Sequence, residues 1–286
     1  MARSSAAISP TAHYTGYTWY EHGLSHPALV TPQGRLMHGA LKPLHMLANM
    51  AGAPTLQAFL LARHRMIDMA LTHAIEEGRV SQVIEVAAGL SPRGWRFKQR
   101  HGDRLRYIEA DLPDMAQRKS QLLRQAGLLT PGHEVVPLDA LADEGALSLS
   151  VLAGTLDPAQ GTAIITEGLV NYFDMPIVMG MWGRFAKVLG GFPHGLYLSD
   201  IHLIQGNQHA GITGFKALLS TFVKGRVHLH FDTEDQAIQA LRQAGFEHAV
   251  LRAPKAVANE LGLALQPGAN AVRVIEARTP NSTAPA

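Results

Sequence analysis

The sequence predicts an α/β protein, doubly wound around a mostly parallel sheet of seven strands. Short apolar runs alternate with helical stretches along most of the chain, the pattern of βαβ units. A glycine-bearing turn follows the first of these runs, and acidic residues stand at the ends of four runs in succession. Such features belong to a Rossmann-like sheet, whose ligands bind at the carboxyl ends of the strands.

The elements follow in order. Residues 1–54 read as an irregular N-terminal extension rich in Gly, Pro and His, with the aromatic cluster Tyr14, Tyr17, Trp19 and Tyr20. Disordered segments are depleted in aromatics, so the extension is expected to pack on the body as a lid or brace. From Leu56 to Glu77, apolar residues recur in steps of four and three, which predicts a helix. Arg63 falls on the apolar phase of that helix, and a buried guanidinium requires an anion or several carbonyls. Strands are expected at Gln82–Ala87, Leu105–Ala110, His133–Pro137, Thr162–Thr166 and Leu196–Ser199, with helices at Asp114–Gln125 and Pro176–Leu189. The less regular stretch 201–231 reads as a substrate-side insertion over the sheet edge. Thr233–Gln243 reads as a helix capped by Thr233 and ending near Gly245, followed by strands at Glu247–Arg252 and Ala271–Ala277. The last nine residues, rich in Pro, Ser and Thr, are expected to fray. The organisation is therefore an N-terminal segment, 1–54, and one domain over 55–280.

Composition removes several function classes. A formal net charge of +2 without a dense basic run gives no nucleic-acid surface. The absence of cysteine excludes disulfides, thiolate metal sites and a cysteine nucleophile. No apolar run approaches 18 residues, and the N-terminus lacks the charged-then-apolar pattern of a leader, so a cytoplasmic protein without a membrane span is expected. The histidines His202/His209 and His228/His230 lack an accompanying acid at ligand spacing, so no metal is expected.

The chemistry concentrates at the strand ends. Val83-Ile-Glu-Val86 runs into a turn holding Ala87, Ala88 and Gly89, with Arg93 and Gly94 beyond. A glycine there lets a nucleotide approach the backbone. The turn lacks the repeated glycines that cradle a pyrophosphate, and Glu85 suits a cationic or hydroxylated ligand better. Asp111 lies 22 residues after Gly89, the usual distance to an acid that accepts from ribose hydroxyls; the alternative is a helix cap before Pro113–Asp114. Asp139 could accept from an adenine amino group, and Glu167, followed by Gly168, faces the same crevice. Asp200 reads as either an acceptor-side acid or a turn residue.

At this point the chain resembles the leucine carboxyl methyltransferase family, which includes polyketide-type O-methyltransferases. The resemblance rests on an ordered set of segments: ARHRMID (62–68), VIEVAAGLSPRG (83–94), YIEADLP (107–113), LDAL (138–141) and ITEGLVNYF (165–173). It implies a class I methyltransferase fold and S-adenosylmethionine as cofactor. It implies that Arg63, Gly89, Asp111, Asp139 with Ala140, and Glu167 line the cofactor pocket, Arg63 directed at the cofactor's carboxylate. Arg93 matches a recurrent family arginine, placed near the methionine end or the pocket wall. Ser91-Pro92 and Ala87 depart from the family's usual Asp-Thr and Gly. The expected activity is methyl transfer to a carboxylate or hydroxyl of a small-molecule or peptide-like acceptor. Homo-oligomerisation stays open. For a hydroxyl acceptor, His22, His26 and His202 are candidate bases. The alternatives are an NAD(P)-dependent oxidoreductase, disfavoured by the glycine pattern, and a non-catalytic S-adenosylmethionine-binding protein.

Overall fold

The computed structural model describes residues 10–51, 55–204, 228–261 and 272–280. Its sheet has seven strands: β1 (Gln82–Val86), β2 (Arg106–Asp111), β3 (His133–Pro137), β4 (Thr162–Thr166), β5 (Gly195–His202), β6 (His248–Arg252) and β7 (Val272–Arg278). Their order is β3-β2-β1-β4-β5-β7-β6. The first five run parallel, and β7 is antiparallel to both β5 and β6. The order reverses between β1 and β4, which opens the crevice where such sheets bind ligands.

Helices cover both faces. One face packs Val83, Tyr107, Ile165 and Leu198 against Met66, Ile67 and Leu71 of α3 (Leu56–Glu76) and Phe97 of α4 (Arg93–His101). The other packs Ile84, Ile108, Ile164 and Tyr197 against Trp182 and Phe185 of α7 (Met175–Leu189) and Leu241 of α8 (Glu234–Gln243). Helices α5 (Pro113–Gln125), α6 (Leu149–Ala153) and α9 (Pro254–Val257) complete the set. Thr233 caps α8 as expected, its hydroxyl accepting from the Gln236 amide. Among the described residues, no helix is long and apolar enough to cross a membrane.

Four expectations need correction. The N-terminal segment is not irregular: it forms α1 (Pro10–Glu21) and α2 (Pro32–Met50), each opening on a proline, which is pre-set for a first helical turn. Helix α4 was not expected, because RGWRFKQRH carries little apolar period to read. Strand β5 continues to His202, so Asp200 lies inside it and Ile201 and His202 belong to the sheet. Arg278 closes β7, and the Thr279 amide donates to Gly195 O at 3.2 Å, so the fraying expected of the last nine residues does not begin at Arg278. Ala271, His209 and residues 205–227 of the expected insertion lie outside the described residues. The two flanks of that stretch meet: Leu203 and Phe231 form a parallel bridge, and the Ile204 amide donates to Phe231 O at 2.9 Å.

Candidate active site

A cavity of about 590 Å³ opens at the switch point, within the usual size of a small-molecule site. Its floor comes from the ends of β1, β4 and β5, and one side from the turn after β1 and the end of β2. The opposite wall comes from α1 and α3.

The β1 turn is built on two left-handed residues, Ala87 (φ 55°) and Gly89 (φ 49°). Alanine there carries a steric cost that glycine would not. Asp111 pins this turn: Oδ2 accepts from the Gly89 amide at 2.7 Å and Oδ1 from the Leu112 amide at 2.8 Å. Burial pushes the Asp111 carboxyl above the usual range, outweighing both amides. Asp111 thus faces the cavity as a poorly solvated carboxylate to which a hydroxyl donor would be welcome.

Beneath the floor lies a buried ionic network. Arg93 is fully buried and spends its donors internally: Nε on Asp68 (2.6 Å), Nη1 on Glu85 (2.5 Å) and Nη2 on Glu167 (2.6 Å). The second Glu85 oxygen accepts from the Tyr107 hydroxyl at 2.7 Å. Arg63 Nε donates to Glu167 Oε1 at 3.0 Å and Nη1 to Asp200 Oδ2 at 3.2 Å. His64 Nδ1 stands 2.8 Å from Glu167 Oε2. Both ring nitrogens also face guanidinium donors: Nδ1 is 2.9 Å from Arg93 Nη2 and Nε2 is 2.9 Å from Arg96 Nη2. Arg96 also reaches Asp68. Burial raises the affinity of Glu167 for a proton, but His64, Arg93 and Arg63 outweigh it and hold the carboxyl well below its usual range. Burial works likewise against Asp68, and His64, Arg93 and Arg96 bring it down. Glu167 is followed by Gly168 at φ 69°, where a Cβ would come within 2.9 Å of Arg63 Nη2, while the Gly168 amide donates to Asp200 Oδ1 at 2.6 Å.

The structure therefore brings Arg63, Glu85, Gly89, Asp111 and Glu167 to one cavity and adds Asp200 and His202. Arg93 is not among the lining residues; it stands behind the floor and orients the carboxylates that are. Asp139 and Ala140 lie in the loop after β3, also outside the lining; Asp139 Oδ1 accepts from the Leu141 amide at 2.9 Å. His64 and Asp68 were missed as network members. Their signal was a polar i, i+4 pair on a helix otherwise apolar on that side. Helix α1, from the segment expected as a lid or brace, supplies part of the wall. Tyr14 and Trp19 line the cavity, the Tyr172 hydroxyl reaches Thr11 Oγ1 at 3.3 Å, and Trp19 lies 4.8 Å from the His64 ring.

Comparison with known proteins bears on this geometry. Residues 24–179 match the model of the family described as leucine carboxyl methyltransferase. A provisionally named S-adenosyl-L-methionine-dependent methyltransferase of Parafrankia sp. (strain EAN1pec) is 36% identical over 120 residues, 42% of this chain. The match spans 37% of that relative's length. Among solved structures, a DUF574 family protein from Streptomyces avermitilis superimposes with a TM-score of 0.63 at 15% identity, covering 94% of this chain and 97% of the other. A provisionally named methyltransferase from Thermobifida fusca gives 0.61 at 12% identity over the same shares. These two likenesses establish the class I methyltransferase fold.

Proposed function

This chain belongs to the leucine carboxyl methyltransferase family, and we propose from that premise that it transfers the methyl group of S-adenosylmethionine to an oxygen of a small-molecule or peptide-like acceptor. The observation that carries this reading is one cavity in which a carboxylate-rich floor meets an aromatic wall: Glu85, Asp111, Glu167 and Asp200 on one side, Tyr14, Trp19 and Phe59 on the other. The donor set fits the cofactor. Asp111 would accept from the ribose hydroxyls with charge-assisted bonds, and the open Gly89 turn admits a nucleoside close to the backbone. The acid floor suits a ligand bearing a sulfonium and an ammonium. Arg63, already shared by Glu167 and Asp200, would add the cofactor's carboxylate as a further partner. A bound cofactor supplies an electrophilic methyl with its leaving group attached, so the protein's task is in-line positioning and exclusion of water. The wall of α1 and α3 does both: it holds an apolar acceptor, and it covers the cavity.

The test is direct. Calorimetry should show S-adenosylhomocysteine binding to the intact chain with one site, and labelled methyl from S-adenosylmethionine should appear on oxygen in an acceptor panel. Tight binding with no labelled product from any acceptor would favour the non-catalytic reading, and binding of NAD(P)H in its place would reject both.

A further inference from the structure

Three histidines were open as proton acceptors, and the structure separates them. His26 caps the short turn Pro27–Leu29, its Nδ1 accepting from the Ala28 amide, and its ring packs on Trp95. His22 lies against Gln57 at the surface. Among the described residues, His202 is the histidine that lines the cavity. It ends β5, is 5% exposed, and its ring is tilted 32° against Phe59 at 4.6 Å.

Its place in the sheet gives that position a meaning. The order β2-β1-β4-β5 puts Asp111 and Gly89 on one side of Glu167, and His202 on the other. A ligand held by its sugar at Asp111 and reaching toward Glu167 directs its far end at β5. The other ionisable groups of that half of the cavity are Arg63, Glu167, Asp200, Tyr14 and Tyr172. The first three form one ion-paired cluster, in which Glu167 is a poor proton acceptor. The β7 neighbour of His202 is Val272, and the adjacent Arg273 is paired with Glu234. Imidazole is the side chain suited to take a proton near neutral pH.

We propose that His202 is the general base of the transfer and that the acceptor is an aryl hydroxyl; this rests on the methyl-transfer reading above. A carboxylate acceptor is already ionised and has no use for a base, whereas a phenol must lose its proton as the new bond forms. The aromatic wall of Tyr14, Trp19, Phe59 and Phe173 suits a flat ring. In the step, the acceptor O–H proton passes to an imidazole nitrogen and its electron pair forms the O–CH3 bond. The S–CH3 bond breaks, its pair stays on sulfur as a neutral thioether, and the imidazolium returns its proton to solvent.

The experiment uses the intact chain, S-adenosylmethionine labelled in the methyl group, and four probes: catechol and 4-methylphenol against benzoate and phenylacetate. Label should enter the hydroxyl probes alone. His202→Asn should lower kcat about a hundredfold, the ordinary worth of a general base, with the KM for S-adenosylmethionine unchanged. The limb of the pH profile that rises as imidazole loses its proton should vanish with it. His202→Gln serves as a second variant, with S-adenosylhomocysteine calorimetry as the check that each is folded. Label on the carboxylates, on no hydroxyl probe, or on hydroxyls at an undiminished rate in folded variants would overturn the proposal. Loss of S-adenosylhomocysteine binding in the wild-type chain would instead remove the methyl-transfer reading.

Discussion

Arg63 shows what one position in a sequence can and cannot disclose. Its place on the apolar phase of α3 announced a need for an anion, because a buried guanidinium cannot stand alone. Which anion it finds was hidden, since Glu167 and Asp200 lie 104 and 137 residues away in sequence. Lysine at this position keeps the charge but cannot bridge two carboxylates with a planar fork. Arg63→Lys should therefore lower the stability of the unliganded protein by about 1–3 kcal/mol, read as a lower melting temperature, and should weaken S-adenosylhomocysteine binding beyond that loss. An unchanged melting temperature would mean that the two ion pairs contribute nothing. Asp111 is the companion case. Spacing alone offered a ribose acid or a helix cap, and the structure adds a third duty, tying down the Gly89 amide. Asparagine can offer only one oxygen to two backbone amides and none of the charge. Asp111→Asn is expected to weaken S-adenosylhomocysteine binding roughly tenfold to a hundredfold, about 1–3 kcal/mol by calorimetry. Undiminished affinity would leave Asp111 a purely structural clasp.

The elements that sequence reading missed are those whose interfaces are filled by unusual residues. Helices α1 and α2 pack through His13, Tyr14, His38 and His45 where a simple hairpin would use leucine, so the apolar period is faint. His13 Nδ1 stands 2.7 Å from Thr31 Oγ1, His38 Nε2 lies 2.8 Å from Glu21, and the His38 ring stacks on Tyr14 at 5.7 Å and is 6.3 Å from His45. Burial lowers all three imidazoles below the ordinary 6.5, with Arg118, Lys42 and the neighbouring imidazole acting in the same direction and Glu21 only partly opposing it. A histidine depressed in the folded state favours its neutral form there. Its contribution is whole above about pH 6.5 and is lost progressively as pH falls toward the depressed folded values. Hydrogen exchange should thus show α1 and α2 losing protection as pH falls below about 6.5 while β1, β4 and β5 keep theirs. His38→Gln with His45→Gln should flatten that dependence. Protection that stays constant as pH falls would show that the hairpin tolerates the charges.

At the scale of the whole molecule, the ion pairs beneath the cavity form one run: Arg96 to Asp68, Asp68 to Arg93, Arg93 to Glu167, Glu167 to Arg63, and Arg63 to Asp200. The run joins α4, α3, the end of β4 and β5, so the floor of the cavity and the seam between layers are the same object. Removing its central cation leaves Glu85 with the Tyr107 hydroxyl alone and takes one of their ion partners from Asp68 and Glu167, which keep Arg96 and Arg63. Arg93→Met should cost about 3–5 kcal/mol in a denaturant titration, even though methionine fills much of the space. A loss below about 1 kcal/mol would mean that the carboxylates are rescued by protonation or water. Asp68 and Glu167 are depressed carboxyls, so their contribution is present above about pH 4 and is lost as pH falls through their folded values. Acid should then act in two separated steps: the N-terminal hairpin first, and the sheet only below about pH 4. Near- and far-ultraviolet circular dichroism followed against pH would resolve them, and a single transition would contradict the assignment. At this scale the sequence was most informative. β3 and β4 match the expected bounds, and the others differ by one to three residues at an end; in β1, β4 and β5, buried along their whole length, the apolar run is written plainly. The network was illegible because its members come from four separate segments, and no local period registers a long-range pair.

The contact between Leu203 and Phe231 limits how this family member could have diversified. Because the two flanks run side by side in the same direction, the chain joining them must travel back the length of its departure, which takes a dozen residues or more. A connection between parallel flanks can be exchanged for another of similar length, but not trimmed to a tight turn without parting Leu203 from Phe231.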